Sequence, residues 1–181
     1  MNEKLTTKEA KLLTQFQFIP HESKIENLAE FFNISWARSK LDPSEESFYV
    51  GWTNCFPEAI HELQNYYSRP TFLPDDSESS QVDWIFIGGI TANAKKGKPA
   101  HIDHVDKPSL YRVYRPSWYA VVSGTKTWTL YPPPECENSC SNKLVVDVGK
   151  RDLFIVDTNL WLSRTETKQG ILTITIESEY D

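Results

Sequence analysis

His101, Asp103 and His104 stand within four positions in the segment PAHIDHVDKPSL (residues 99–110), in a chain that holds four histidines in all. Residues two apart on a β-strand share a face, so His101 and Asp103 can offer an imidazole and a carboxylate to one metal ion while Ile102 and His104 point the other way. Such a pair supplies two of the three ligands of a 2-His-1-carboxylate facial triad, the arrangement that leaves open positions on non-haem Fe(II). The His-x-Asp pattern alone is weak, because a polar strand that happens to carry histidine explains it as well. His104 could replace a missing ligand only where the strand bulges or twists.

The elements that must position these residues change character along the chain. In the first third, TTKEAKLLTQF, ESKIENLAEFFNISWARSK and FPEAIHELQNYYSRP repeat apolar residues at helical spacing, the last starting at Pro57 and stopping at Pro70. His61 lies beside the stripe of that last helix and His21 beside Pro20 in a loop, and both read as surface or half-buried side chains. After the acidic connector TFLPDDSESSQ come VDWIFIGG, WYAVVSG, KTWTLYP, LVVDV, DLFIVD and ILTITIES, short aromatic and β-branched runs separated by Gly, Pro, Asn and Asp. The segment VVSGTKTW predicts a hairpin closed at Ser123-Gly124. The expected architecture is one domain over residues 1–181, with a mostly helical part and connector at 1–82 packed outside a β-sandwich or barrel at 83–181. KPSLYRVY and RPSWYAVV (107–122) are near-copies, which reads as a short duplication lengthening a loop or hairpin arm and not as a repeat array.

Bulk properties narrow the partners. A chain of 181 residues can bury about 70% of its unfolded surface and needs no staples. A formal net charge of −6 without a Lys/Arg run argues against nucleic acid or an anionic membrane. No apolar run of membrane-spanning length is present, and the first twenty residues interleave charge with hydrophobes, so the chain as given reads as soluble and without a secretory address. Cys55, Cys136 and Cys140 form an odd set expected to be reduced, a Cys136–Cys140 disulfide being the alternative in a secretory compartment. Asn33-Ile34-Ser35 matches a glycosylation acceptor, a triplet that also arises by chance, and the compartment stays open.

The words FYVGWTNCFPEAIHEL, RPTFLPDDSESSQVDWIFIGG, PAHIDHV, PSWYAVVSGTKTWTLYPPPEC, DLFIVDTNLW and TITIESEYD span residues 48–181. In that order they resemble the cupin-like, JmjC-type branch of the Fe(II)/2-oxoglutarate-dependent oxygenases. The resemblance implies a mainly β double-stranded β-helix, or jelly roll, with the N-terminal helices outside it. It also implies His101 and Asp103 as the first two iron ligands, Lys126 as the partner of the far carboxylate of 2-oxoglutarate, and Trp128 with Trp118 as walls of the pocket or as plain core aromatics. Asn159 and Trp161 lie where the family brings its third ligand into the barrel. There the family reads roughly TNxWxHxT and this chain reads TNLWLSRT, placing Ser163 at the third ligand position with Arg164 adjacent. A hydroxyl is a poor ligand for Fe(II). Two readings follow: a hydroxylase-like scaffold with an incomplete triad acting on a small molecule or a protein or peptide side chain, and a pseudoenzyme that keeps the barrel as a binding module. A different metal at a two-ligand site is a third reading. A homodimer through the FFNISW stripe is the expectation that competes with simple packing of that stripe on the barrel.

Overall fold

The computed structural model describes residues 16–21, 23–54, 56–77, 79–91, 116–136, 139–157 and 161–180. Nine strands and three short α-helices occur among them: β1 (Phe16–Ile19), α1 (Leu28–Phe32), α2 (Trp36–Ser39), β2 (Phe48–Asn54), α3 (Pro57–Leu63), β3 (Ser79–Gly89), β4 (Ser117–Ser123), β5 (Thr125–Tyr131), β6 (Leu144–Gly149), β7 (Leu153–Val156), β8 (Leu162–Thr167) and β9 (Thr173–Tyr180). They form an antiparallel six-stranded sheet, in the order β1-β2-β3-β9-β4-β7, and an antiparallel three-stranded sheet, in the order β6-β5-β8. The protein is therefore mainly β.

One core joins the two sheets. Tyr119 and Val121 of β4 and Val156 of β7 meet Trp128 and Leu130 of β5 and Val148 of β6, with Phe154 and Trp161 packed alongside. This is the alternation expected of strands with one face inward, and burying each such side chain is worth roughly 1.5–3 kcal/mol. A second cluster lies on the other face of the large sheet, where Ile25, Phe31 and Leu41 cover Phe48 and Val50 of β2.

The N-terminal part differs from its helical expectation. The stretch before Phe16 lies outside the described residues, and Phe16 itself opens β1. β1 and β2 extend the large sheet beyond β3, pairing Phe18 with Trp52 and Val50 with Ile87. The long helix expected over ESKIENLAEFFNISWARSK is two short ones because it contains two starts. Asn27 Oδ1 accepts from the Glu30 amide at 3.0 Å, and Ser35 Oγ accepts from the Arg38 amide at 3.0 Å, each an N-cap that sets a new helix beginning. α3 starts at Pro57 as expected but ends at Leu63, well before Pro70. Past it the chain turns inward so that the Tyr67 hydroxyl donates to the Asp83 carboxylate on β3. Of these helices, α1 packs Phe31 onto Phe48 and Val50 of β2. Cys136 and Cys140 are both thiols, while Cys55 lies outside the described residues. Among the described residues no helix is long and apolar enough to cross a membrane.

The expected hairpin at Ser123-Gly124 is also absent. β4 belongs to the large sheet and β5 to the small one, so the chain crosses between sheets there instead of folding back. Gly124 makes the crossing possible. Its φ is +80°, and a Cβ there would come within 2.6 Å of Thr173 Oγ1 and 2.7 Å of the Leu172 carbonyl oxygen. Only glycine meets both demands without strain.

Gly124→Ala should lose roughly 2–4 kcal/mol in chemical denaturation, from the left-handed backbone and from overpacking against β9. A second expectation concerns Tyr67, whose pKa is raised from 10.0 by burial first and then by its hydrogen bond to Asp83 and the charge of that carboxylate. Because the folded value lies above the unfolded one, the interaction contributes fully below pH 10 and is lost as pH rises through the folded value. Stability measured above pH 10 should fall more steeply in the wild type than in Tyr67→Phe.

Candidate functional site

Strand β5 alternates strictly, with Lys126, Trp128 and Leu130 buried and the residues between them more exposed. The buried set faces the large sheet. The β5–β8 register places Thr167 beside Lys126, Thr165 beside Trp128 and Ser163 beside Leu130, so β8 lines the same interior with three hydroxyls. From the opposite sheet, Thr175 of β9 pairs with Phe86 of β3 and with the inward Val121 of β4, and Thr173 follows it two residues away. Thr165, Thr173 and Thr175 are fully buried.

The Lys126 side chain is 1% exposed. Its Nζ lies 5.2 Å from the ring centre of Trp128, 5.3 Å from Phe86 and 5.7 Å from Tyr49. Aromatic faces attract a cation electrostatically, by about 0.5–2 kcal/mol each depending on desolvation. His21 packs edge-on to Tyr49, with ring centres 5.3 Å apart, and 5.8 Å from Phe86, and it holds an unusual φ of 38°. A half-buried histidine thus sits against two of the three rings that flank the ammonium.

Hydrogen-bonding capacity between the sheets is only partly used. Thr173 Oγ1 donates to the Thr125 carbonyl at 3.3 Å. Among the described residues, Thr167 Oγ1, Thr175 Oγ1 and Trp128 Nε1 are buried and without a hydrogen-bond partner. Buried polar atoms are normally satisfied; of these, Thr167 is registered opposite Lys126, and Trp128 and Thr175 belong to the inward-facing sets of the two sheets. Tyr119 closes against Trp128 with ring centres 4.4 Å apart and donates its hydroxyl to Glu177 Oε1 at 2.8 Å.

Lys126, Trp128 and Ser163 from the sequence reading share the inward face of the small sheet, with Ser163 opposite Leu130, four positions along β5 from Lys126. Of the two readings of Trp118, the core aromatic is the one observed: it is buried on the opposite face of the large sheet with Leu73 and Ile176, and shares no wall with Trp128. Arg164 is corrected as a neighbour of the third ligand position, since it alternates away from Ser163 and pairs with Glu166 at 2.6 Å. His101, Asp103, His104 and Asn159 lie outside the described residues. Trp161 packs on the inter-sheet core, and His61 is exposed on α3. Among the described residues, no three His, Cys, Asp or Glu side chains gather to hold a metal ion.

Sequence reasoning missed Tyr49, Phe86, His21 and the threonines. A signal for the last was present in Ser163-x-Thr165-x-Thr167 and Thr173-x-Thr175-x-Glu177, polar residues at the strand period of two. Comparison with family models and with curated proteins returns no match.

Trp128 fills the centre of this site at 0% exposure, whereas Trp36 is 76% exposed on α2. Trp128→Ala should cost roughly 3–5 kcal/mol in urea titration, and Trp36→Ala should stay within about 0.5 kcal/mol of the wild type.

Proposed function

We propose that the protein is a jelly-roll scaffold of the Fe(II)/2-oxoglutarate oxygenase type that binds a 2-oxo dicarboxylate between its sheets at Lys126. The observation that carries this reading is a buried ammonium enclosed by Tyr49, Phe86 and Trp128, with unpartnered hydroxyl and indole donors beside it. The strand order supports the fold half of the reading. From β4 onward the chain passes from the large sheet to β5 and β6 in the small one, back to β7, across to β8 and back to β9, as a double-stranded β-helix does.

The chain's own residues would act as follows. Lys126 would meet the far carboxylate of the 2-oxo acid as a compact point charge, a contact that gains strength where water is excluded. The Thr167 and Thr175 hydroxyls and the Trp128 indole would donate to the remaining carboxylate lone pairs. Trp128, Phe86 and Tyr49 would wall the carbon chain and hold its direction. Ferrous iron, when bound through His101 and Asp103, would supply oxygen activation for hydroxylation. In this reading Ser163 of β8 would stand at the third ligand position with a hydroxyl in place of imidazole, and a two-ligand site would hold Fe(II) weakly.

Ser163 also favours a second reading, in which the protein keeps the 2-oxo acid pocket, or admits a peptide or partner chain there, and has lost turnover. One experiment separates the two. Under anaerobic conditions with Fe(II), 2-oxoglutarate should raise the melting temperature of the full chain, and Lys126→Met should abolish that shift. Succinate release in air should be slight or nil in the wild type and should rise in Ser163→His. Absence of any 2-oxoglutarate-dependent shift in the wild type would sink the 2-oxo acid pocket in both readings; binding without succinate, even in Ser163→His, would leave only the binding module.

A further inference from the structure

Strand β6 is the outer strand of the small sheet and pairs with β5 on one side only among the described residues. An unpaired strand edge offers a row of backbone N–H and C=O groups to any second strand, and proteins usually blunt it with charge, proline or a covering element. β6 is poorly blunted. Leu144, Val145 and Val146 follow one another along it at 44%, 57% and 38% exposure, and the strand contains no proline. Leu144 and Val146 share the inward parity of the buried Val148, while Val145 shares the outward parity of Asp147. Apolar side chains on both faces of the sheet therefore meet water at this one margin.

The sequence of this edge is complementary to itself. Residues directly opposite in an antiparallel pair lie on the same face, so two copies of β6 related by a two-fold axis pair only where opposed positions share parity. With the axis at Val145, that residue meets the second copy's Val145, Leu144 meets the second copy's Val146, and Lys143 meets the second copy's Asp147 at both ends. An axis at Val146 would set Val145 against Asp147 and Lys143 against Gly149, and an axis at Leu144 would set Lys143 against Val145. Of these three registers, the one centred on Val145 alone matches opposite charges and apolar with apolar. Asp147 accepts from Thr127 Oγ1 at 2.5 Å and from Lys168 Nζ at 3.0 Å, which uses two of the roughly four acceptor sites of a carboxylate.

We propose that β6 is a dimerisation edge whose partner is a second copy of this chain, the two strands pairing antiparallel about Val145 and joining the two small sheets into one. Backbone hydrogen bonds across the two edges supply the pairing, and the side-chain rows fix its register. The apolar residues at the margin are covered on both faces at once, because the inward Leu144 and Val146 pack on each other's copies and the outward Val145 packs on its own. A contact of this kind uses the same surface of both chains, so it consumes both free edges and closes at two copies.

The test is sedimentation velocity of the full chain over a concentration series, in which the wild type should show a monomer–dimer equilibrium. Val145→Lys and Val145→Glu each set like charges opposite one another on the axis and should each weaken self-association by about tenfold or more. An equimolar mixture of the two should regain the dimer, since Lys then meets Glu. Circular dichroism verifies that both variants stay folded, and Lys143→Glu, which lies outside the strand and sets two carboxylates together, should weaken the dimer independently of them. Trp36→Ala should leave the dimer unchanged, which separates this edge from the FFNISW stripe. A wild type that stays monomeric up to about 500 μM would overturn the proposal. So would undiminished association in the folded Val145 variants or in Lys143→Glu, a mixture no better than either variant alone, a stronger dimer in Val145→Lys, as the register centred on Val146 would give, or loss of the dimer in Trp36→Ala.

Discussion

Taking the Lys126 ammonium out of water costs several kcal/mol after relaxation, and most features of the inter-sheet region follow from meeting that cost. The rings of Trp128, Phe86 and Tyr49, all within 5.7 Å of Nζ, return part of it. Their contribution, about 0.5–2 kcal/mol each, does not by itself make burial of a charge favourable. An apolar side chain at position 126 would pack between the sheets without any such cost. Under the proposed function an anionic ligand would add to these contacts, and the hydroxyls of β8 and β9 face the same interior.

The position of Lys126 depends on backbone geometry more than on its neighbours. Gly124, two residues earlier, turns the chain from the large sheet to the small one, and Thr173 fills the space that a side chain at 124 would need. Its hydroxyl then bonds to the carbonyl of Thr125, tying the start of β5 to β9. With the start of β5 fixed, its alternation dictates the rest: Lys126, Trp128 and Leu130 must face inward together. The β8 ladder carries Ser163, Thr165 and Thr167 to the same face, by register alone.

How much of this could be read from sequence varies with physical cause. Six strands were legible because aromatic and β-branched residues cluster between turn residues. β8 was not, because its inward positions are Ser163, Thr165 and Thr167 while Leu162 points outward, which inverts the usual apolar-inside pattern. β2 was hidden between two helical patterns; it is covered on both faces, so FYVGWTN shows a continuous run and no clean alternation. The pairing of Trp118 with Trp128 failed for a different reason. They are ten residues apart, and parity along one strand says nothing once Gly124 moves the chain to the other sheet. One tryptophan then faces out of the large sheet and the other into the interior.

If the proposed site is right, Ser163 is where it could lack a ligand without any change in fold. The register of β8 on β5 is set by backbone hydrogen bonds, which do not depend on which side chain stands at 163. Arg164 is turned outward and neutralised by Glu166, so its charge does not bear on the interior. Position 163 remains aimed between the sheets, in one row with Leu130. Under the proposed function, a hydroxyl there in place of imidazole would remove a metal ligand and leave untouched the ammonium, rings and threonines that would hold a carboxylate. In the proposed function, binding of the acid and activation of oxygen would therefore be physically separable, because different strand positions would carry them, and a change at one need not propagate to the other.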